Sequence, residues 1–347
     1  MSACRAALAC LAVLVGLCGT ARVGLAAEGA GEALVELAGA AFGTSWHVRL
    51  PVNAESPAPE ALVPAIESLL EQVDARLSTW RDDSEVSRFN ASVSTDWRPV
   101  SRDTAAVAAA ALFVHARSGG AFDPTVGPLV SLWGFGPAPA PSGPPAGAAV
   151  DAALRRVDGG ALDVRQHPPA LRKARPDLSL DLSGVAKGFA VDAVARRLRE
   201  LGVRRFLVEI GGELRSLGEA PGGGPWRVGV ERPVQGPRHV DWVLALEDAA
   251  LATSGDYRNR VTWRGRGYSH VIDPRSGRPV QHPLVSVSVL AREAARADAW
   301  ATALLVLGPE AGWRVAEHER LAALFVTVRE GRLEARGTPA LERHRVY

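Results

Sequence analysis

Helical and strand-like periodicities are interleaved along this chain without an internal repeat, and that mixed order restricts the folds open to it more than any other feature. Residues 34–50 alternate like two strands around a Gly43-Thr44 turn, whereas 59–77 place Leu62, Ile66, Leu69, Leu70, Val73 and Leu77 at helical spacing. Ser101 is placed to cap a helix over 102–117 that stops at Gly119-Gly120. Further on, the pattern predicts a strand at 178–182, a helix at 186–200 and strands near 205–210, 226–231, 242–247 and 284–290. A helix around Asp298 and a hairpin of 324–328 with 332–335, joined at Glu330-Gly331, complete the series. The expectation is an α+β fold, a single mixed α/β domain over 34–338. The proline-rich run 136–149, GPAPAPSGPPAGAA, is expected to be a surface loop.

The first 27 residues read as a signal peptide, with Arg5 ahead of an apolar run and small residues ending at Ala26-Ala27, so export to the periplasm is expected. Cys4, Cys10 and Cys18 all fall inside this segment, and cleavage after Ala27 would leave no thiol and no disulfide. Cys18 is also a candidate lipid-attachment site that would tether the chain to a membrane, although Leu17 before it is larger than that signal normally has. A formal charge of +2, from 40 basic and 38 acidic residues, gives no basic stripe, so nucleic acid is not an expected partner.

Two segments carry the clearest chemistry. In AARADAWATALLVLG, residues 294–308, Asp298 and Thr302 are four apart on an otherwise apolar helix, so a carboxylate and a hydroxyl face one point, expected to be a preformed surface cleft. In LSLDLSGVAKGFAVDAVARRL, residues 178–198, a short strand ends in Asp181, Gly184 turns, and a helix starts near Val185 with Lys187 in its first turn. Free helix amides beside a lysine suit a pyrophosphate. The same residues also fit a plain helix start in which Asp181 or Ser183 caps and Lys187 is solvated. Neither a GxxxxGK[ST] loop nor a GxGxxG turn is present. Asp123 and Asp273 each precede a proline and fit turn residues equally well, while His270 has the side chain best suited to accept a proton near neutral pH.

Taken together, STWRDDSEVSRFN (78–90), GAFDPTVGPL (120–129), DLSGVAKGFAVD (181–192), IGGELR (210–215), TSGDYRN (253–259), HVIDPRSGRP (270–279) and ADAWATALLVLG (297–308) resemble the successive motifs of the ApbE flavin transferases, in order and in spacing. The resemblance spans about residues 35–330. It implies an exported, Mg²⁺-dependent enzyme that takes FAD, releases AMP and attaches FMN to a threonine of an acceptor protein. That threonine would lie in an Asp/Ser-Gly-x-Thr sequence of a membrane-associated redox subunit.

Carried over residue by residue, the resemblance assigns the metal to Asp298, Thr302 and the Gly184 carbonyl, hard oxygen ligands of the kind Mg²⁺ prefers. It assigns FAD contacts to Phe42, Trp80, Ala121, Phe122, Asp123, Asp181, Lys187 and Ile272, several of them through backbone. Trp80 suits a flavin or adenine ring as well as a core position. His270 is the candidate base, with Asp273 orienting it or touching substrate. The chain departs from the family at Phe42, where methionine is common, and at Glu209, where asparagine is common before the two glycines. Two other readings use the same site: an FAD pyrophosphatase, with water as nucleophile, and an exported flavin-binding protein without chemistry. The Asp298/Thr302 pair weighs against the second, since a pure binder has little need of a metal at the pyrophosphate.

Overall fold

The computed structural model describes residues 22–29, 32–53, 56–137, 139, 141–233, 240–256, 260–263 and 265–346. The chain opens with strands β1 (Arg22–Gly29), β2 (Glu32–Ala41) and β3 (Thr44–Val52), then helices α1 (Pro59–Leu77) and α2 (Glu85–Ala91). A short strand β4 (Arg98–Pro99), helices α3 (Arg102–Arg117), α4 (Gly127–Leu132) and α5 (Gly147–Leu154), and the hairpin β5 (Leu162–Gln166) and β6 (Pro169–Lys173) follow. After α6 (Ser183–Glu200) come β7 (Phe206–Ile210), β8 (Glu213–Leu217), β9 (Trp226–Glu231), β10 (Val240–Leu246) and β11 (Ala250–Gly255). Two small hairpins, β12 (Arg260–Trp263) with β13 (Arg266–Ser269) and β14 (Ile272–Asp273) with β15 (Arg278–Pro279), precede β16 (Leu284–Ala291). The chain closes with α7 (Ala294–His318), β17 (Ala322–Arg329), β18 (Arg332–Gly337) and α8 (Pro339–Glu342).

Nine strands form one sheet in the order β1-β2-β3-β7-β8-β11-β16-β17-β18, each neighbour antiparallel. Successive side chains on a strand point to opposite faces, and here both faces are buried. Phe206, Val208 and Ile210 of β7, Ala250 and Ala252 of β11, and Val287 and Val289 of β16 face a large core shared with α1, α3, α6 and α7. Their alternates Leu207, Leu251 and Leu290 face a second core with Trp226, Val228 and Val230 of β9 and Trp242, Leu244 and Leu246 of β10. The result is three layers, helices over sheet over a two-stranded ribbon, which is the α+β fold expected. On α1, Leu62, Ile66, Leu70, Val73 and Leu77 are the buried positions, each contributing about 1.5–3 kcal/mol of burial.

Several boundaries differ from expectation. No ladder forms over 178–182. Leu180 instead donates its N–H to Asn90 Oδ1 at 2.7 Å and accepts from Asn90 Nδ2 at 2.8 Å, so one side-chain amide does what a neighbouring strand would. Helix α6 starts at Ser183, earlier than the periodicity suggests. The end of the 136–149 run is helical from Gly147, past its last proline, while residues 138 and 140 lie outside the described residues. Of the expected signal segment, residues 1–21, with all three cysteines, lie outside the described residues, and residues 22–27 belong to β1, paired with β2. The fold also continues past residue 338: Ala245 N donates to His344 O and Val346 N to Val243 O, joining the C-terminal segment to β10. Among the described residues no helix is long and apolar enough to cross a membrane.

Candidate active site

The site is built where α6 crosses the start of α7. Gly188 permits that crossing, because a Cβ there would lie 2.3 Å from the Ala294 carbonyl oxygen. The close approach lets Gly188 N donate to Asp298 Oδ2 at 3.0 Å. One turn further along α6, Asp192 accepts from Ala294 N and Ala295 N, both at 3.0 Å, and so caps α7 from a neighbouring helix. Asp298 is therefore not in an open surface cleft, as the sequence suggested: it is 4% exposed, because α6 covers it.

Thr302, one turn along α7, receives support from the sheet, its Oγ1 lying 3.0 Å from Ser254 Oγ of β11. Gly184 stands opposite. A Cβ built on it would lie 3.0 Å from the Phe122 ring and 3.6 Å from Thr302 Oγ1, so Gly184, Phe122 and Thr302 meet at the first turn of α6. The three residues assigned to the metal thus lie together, on two helices packed through Gly188.

Beside them lies a charge cluster. Lys187 Nζ donates to Glu213 Oε1 at 2.8 Å, and Glu213 is 1% exposed with its Oε2 unpartnered. Burial pushes the Glu213 carboxyl up to about 8, with Lys187 opposing and Asp298 adding to the rise. Burial likewise raises Asp298, against the pull of Lys187 and the Gly188 N–H. Burial would lower Lys187, but Glu213 and Asp298 outweigh it and hold the ammonium above its ordinary range. Two buried carboxylates against one ammonium leave a deficit of positive charge that a proton or a cation can fill. The donor chemistry, one carboxylate, one hydroxyl and one carbonyl, is hard oxygen throughout, which fits Mg²⁺. Among the described residues no group of three or more His, Cys, Asp or Glu side chains forms a metal cage, so few ligands would come from protein.

Of the remaining candidates, Phe122 and the turn that follows Phe42 adjoin this point, and the others lie on separate elements. The turn bearing Phe42, which adopts φ 53°, leads into Thr44, and a Cβ on Gly211 would lie 2.9 Å from Thr44 Cγ2 and 3.6 Å from Lys187 Cδ. Trp80 is 68% exposed, so it is a surface ring rather than a core residue. Ala121 and Phe122 are buried. Asp123 serves its own loop: Oδ1 accepts from Thr125 N and Oγ1, and Oδ2 accepts from Gly159 N. Asp181 Oδ1 accepts from Ser183 N at the start of α6, and Asp181 N donates to Pro124 O, which ties this turn to the Asp123 loop. Ile272 is buried among Leu129, Trp133, Val150 and Ala153. His270 meets the Phe135 ring edge-on, centroids 6.2 Å apart. Asp273 closes its own turn, accepting from Arg275 N, Nε and Nη2. Glu209, the departure before the glycines, accepts from Gly212 N at 2.6 Å and so braces that turn.

The residues that sequence reasoning missed are Glu213, Ser254, Asp256 and His282. Glu213, Ser254 and Asp256 lie inside quoted motifs, but the partners of Glu213 and Ser254 come from helices distant in sequence. Tyr257, Arg258 and Asn259 of the TSGDYRN segment lie outside the described residues.

Comparison with known proteins identifies the family. The ApbE family model matches residues 42–325. The FAD:protein FMN transferase of Escherichia coli K12 is 41% identical over 294 residues, covering 84% of this chain and 83% of its own length. That of Vibrio cholerae is 40% identical over 292 residues, covering 84% and 87%. Among solved structures, the flavin transferase ApbE from Vibrio cholerae superposes with a TM-score of 0.83 at 36% identity, over 90% of this chain and 99% of that one. The apo flavinyl transferase ApbE of Pseudomonas stutzeri gives 0.82 at 37%, over 90% and 97%. Matched in sequence over 84% of its length and in fold over 90%, the chain belongs to the ApbE family.

Proposed function

We propose that this protein transfers the FMN half of FAD to a threonine hydroxyl of an exported or membrane-associated acceptor protein, with release of AMP and with Mg²⁺ as cofactor. The observation that carries the reading is the meeting of Asp298, Thr302 and Gly184 beside the Lys187 ammonium, at the first turn of α6. Asp298, Thr302 and the Gly184 carbonyl would hold Mg²⁺, which when bound neutralises charge on the FAD pyrophosphate.

The chain's own groups do the rest. Lys187 and the positive end of the α6 dipole attract phosphate oxygens. Trp80 offers its exposed face to a flavin or adenine ring, and the Phe42 turn, the 121–123 loop, Asp181 and Ile272 shape the walls. His270 takes the proton of the acceptor hydroxyl as its oxygen bonds to the FMN-side phosphorus and AMP leaves. The expected acceptor presents its threonine in an Asp/Ser-Gly-x-Thr sequence, and export through the N-terminal segment places enzyme and acceptor in the same compartment.

The test is direct. Purified protein, FAD, Mg²⁺ and an acceptor domain with such a threonine should yield AMP and a fluorescent acceptor in equal amounts, and chelation of the metal should stop both. AMP release with no labelled acceptor would overturn the reading in favour of a pyrophosphatase.

A further inference from the structure

Backbone pairing brings together the segments that carry Asp256, His270 and His282. Strand β11 ends with Gly255 opposite Ser286, and Asp256 N then donates to Val285 O at 3.1 Å, three residues after His282. From the other side, Ile272 pairs with Pro279 and Val280 N donates to Val271 O at 3.0 Å, which carries His270 up beside residue 281. Asp256 is 5% exposed, its Oδ1 makes no hydrogen bond among the described residues, and its Oδ2 lies 3.7 Å from Arg260 Nη2. Both ring nitrogens of His282 are buried and lack a hydrogen-bond partner among the described residues. Its ring is pressed against Gly308, where a Cβ would approach Cδ2 to 3.0 Å and where the backbone is left-handed at φ 79°. Unsatisfied buried polar atoms cost about 1–3 kcal/mol each, and a fold that gathers several in one place calls for a reason.

We propose that Asp256 is the positioning carboxylate of the His270 and His282 imidazoles, orienting them and keeping them basic for proton transfer. The proposal rests on the reading of His270 as the base. Asp273, the other carboxylate near His270 in sequence, is occupied by Arg275. The groups facing Asp256 are Arg260 at the start of β12, His282 ahead of β16 and His270 after β13. Burial raises the Asp256 carboxyl, and the positive charge of Arg260 opposes the rise, as does that of either imidazole when protonated. Asp256 follows the last residue of β11, two positions beyond Ser254. One strand end therefore supports the Thr302 hydroxyl through Ser254 and the histidines through Asp256.

The experiment is an NMR titration of the imidazoles in the full-length protein without FAD or metal, with His270→Gln and His282→Gln identifying the signals. In Asp256→Asn, which keeps shape and loses charge, at least one of the two imidazole pKa values should fall by about one unit, a tenfold shift in protonation. Turnover should fall while FAD affinity stays within about twofold. Neither imidazole moving by more than about 0.3 unit would overturn the proposal. Should Asp256→Asn fail to fold, Arg260→Gln on the surface removes the competing cation, and at least one of the two values should then rise; no change there would overturn it equally. Unchanged turnover in His270→Ala would remove the base reading while leaving this titration to stand or fall by itself.

Discussion

Lys187 of α6 and Glu213 of β8 form a 2.8 Å ion pair whose second carboxylate oxygen is buried and unpartnered. The pair joins helix layer to sheet and fixes the ammonium beside Asp298. Its cost is a buried anion, and that cost sets a pH dependence.

Glu213 titrates near 8 in the folded protein against an ordinary 4.5, so between those values the native state holds a proton that the unfolded chain has lost. Stability of the metal-free protein should therefore fall as pH rises across that window, with Asp298, also raised by burial, contributing in the same direction. Lys187, raised as a cation, loses its contribution only above its ordinary range and does not reverse the slope. Thermal melts of metal-free protein from pH 4.5 to 8 check this, and Glu213→Gln should flatten the curve. A melting temperature that climbs over the window would contradict it.

Asp298→Asn should retain the fold, since the amide oxygen can still accept from Gly188 N, and the metal-free variant should melt no lower than wild type. Its apparent Mg²⁺ affinity should drop by at least about 10²-fold, because even outer partners of metal ligands are worth roughly 10–100-fold. Mg²⁺ titration of AMP release reads the effect, and wild-type activity at limiting Mg²⁺ would sink the metal assignment. Thr302→Val should be milder, losing a neutral donor and its bond to Ser254.

Trp80→Ala separates binding from stability. The ring is 68% exposed, so the melting temperature should stay within about one degree, while stacking worth about 1–3 kcal/mol per base predicts a weakening of FAD binding of at least about fivefold. Calorimetry giving wild-type affinity would remove Trp80 from the site.

What the sequence disclosed and what it hid follow from the range of each signal. Asp298 and Thr302 were legible as a pair because helical periodicity puts positions four apart on one face. Their burial was not legible, because it depends on Gly188 of another helix meeting Ala294. The alternation of Leu178, Leu180 and Leu182 was read as a strand, since inward side chains look alike whether the backbone is satisfied by a ladder or by Asn90. Glu213 and Ser254 acquire their partners only where β8 and β11 pack under α6 and α7, and the segments bearing Asp256 and His282 meet only through the pairing of β11 with β16, none of which local pattern encodes. α7 breaks at Gly308-Pro309, and the left-handed Gly308 seats the His282 ring, a contact between distant segments that local pattern does not encode.

His270→Ala should bind FAD close to normally and lower turnover by roughly 10²–10⁴, the loss expected when a general base is removed. The imidazole packs edge-on against Phe135 outside the Lys187 cluster, so a change in FAD affinity comparable to the loss of turnover would assign His270 to binding instead.

The last prediction concerns the nucleophile. In this chain each Ser-Gly or Asp-Gly step ends in a residue other than threonine: Ser118 leads to Ala121, Ser142 to Pro145, Asp158 to Ala161, Ser183 to Ala186, Ser254 to Tyr257 and Ser276 to Pro279. An enzyme without its own acceptor should take up FAD and stay unlabelled. Denaturing gels of purified protein incubated with FAD and Mg²⁺ should therefore show no fluorescent band at its own mass, and mass spectrometry no added FMN. Supplying an acceptor domain should transfer the label to that domain alone, and threonine→alanine in the acceptor should abolish it. A covalent FMN on this chain would mean that a hydroxyl outside the expected sequence serves as acceptor. Equal AMP release with and without acceptor would mean that water reaches the phosphorus as readily as threonine, and FAD left intact under both conditions would leave only binding.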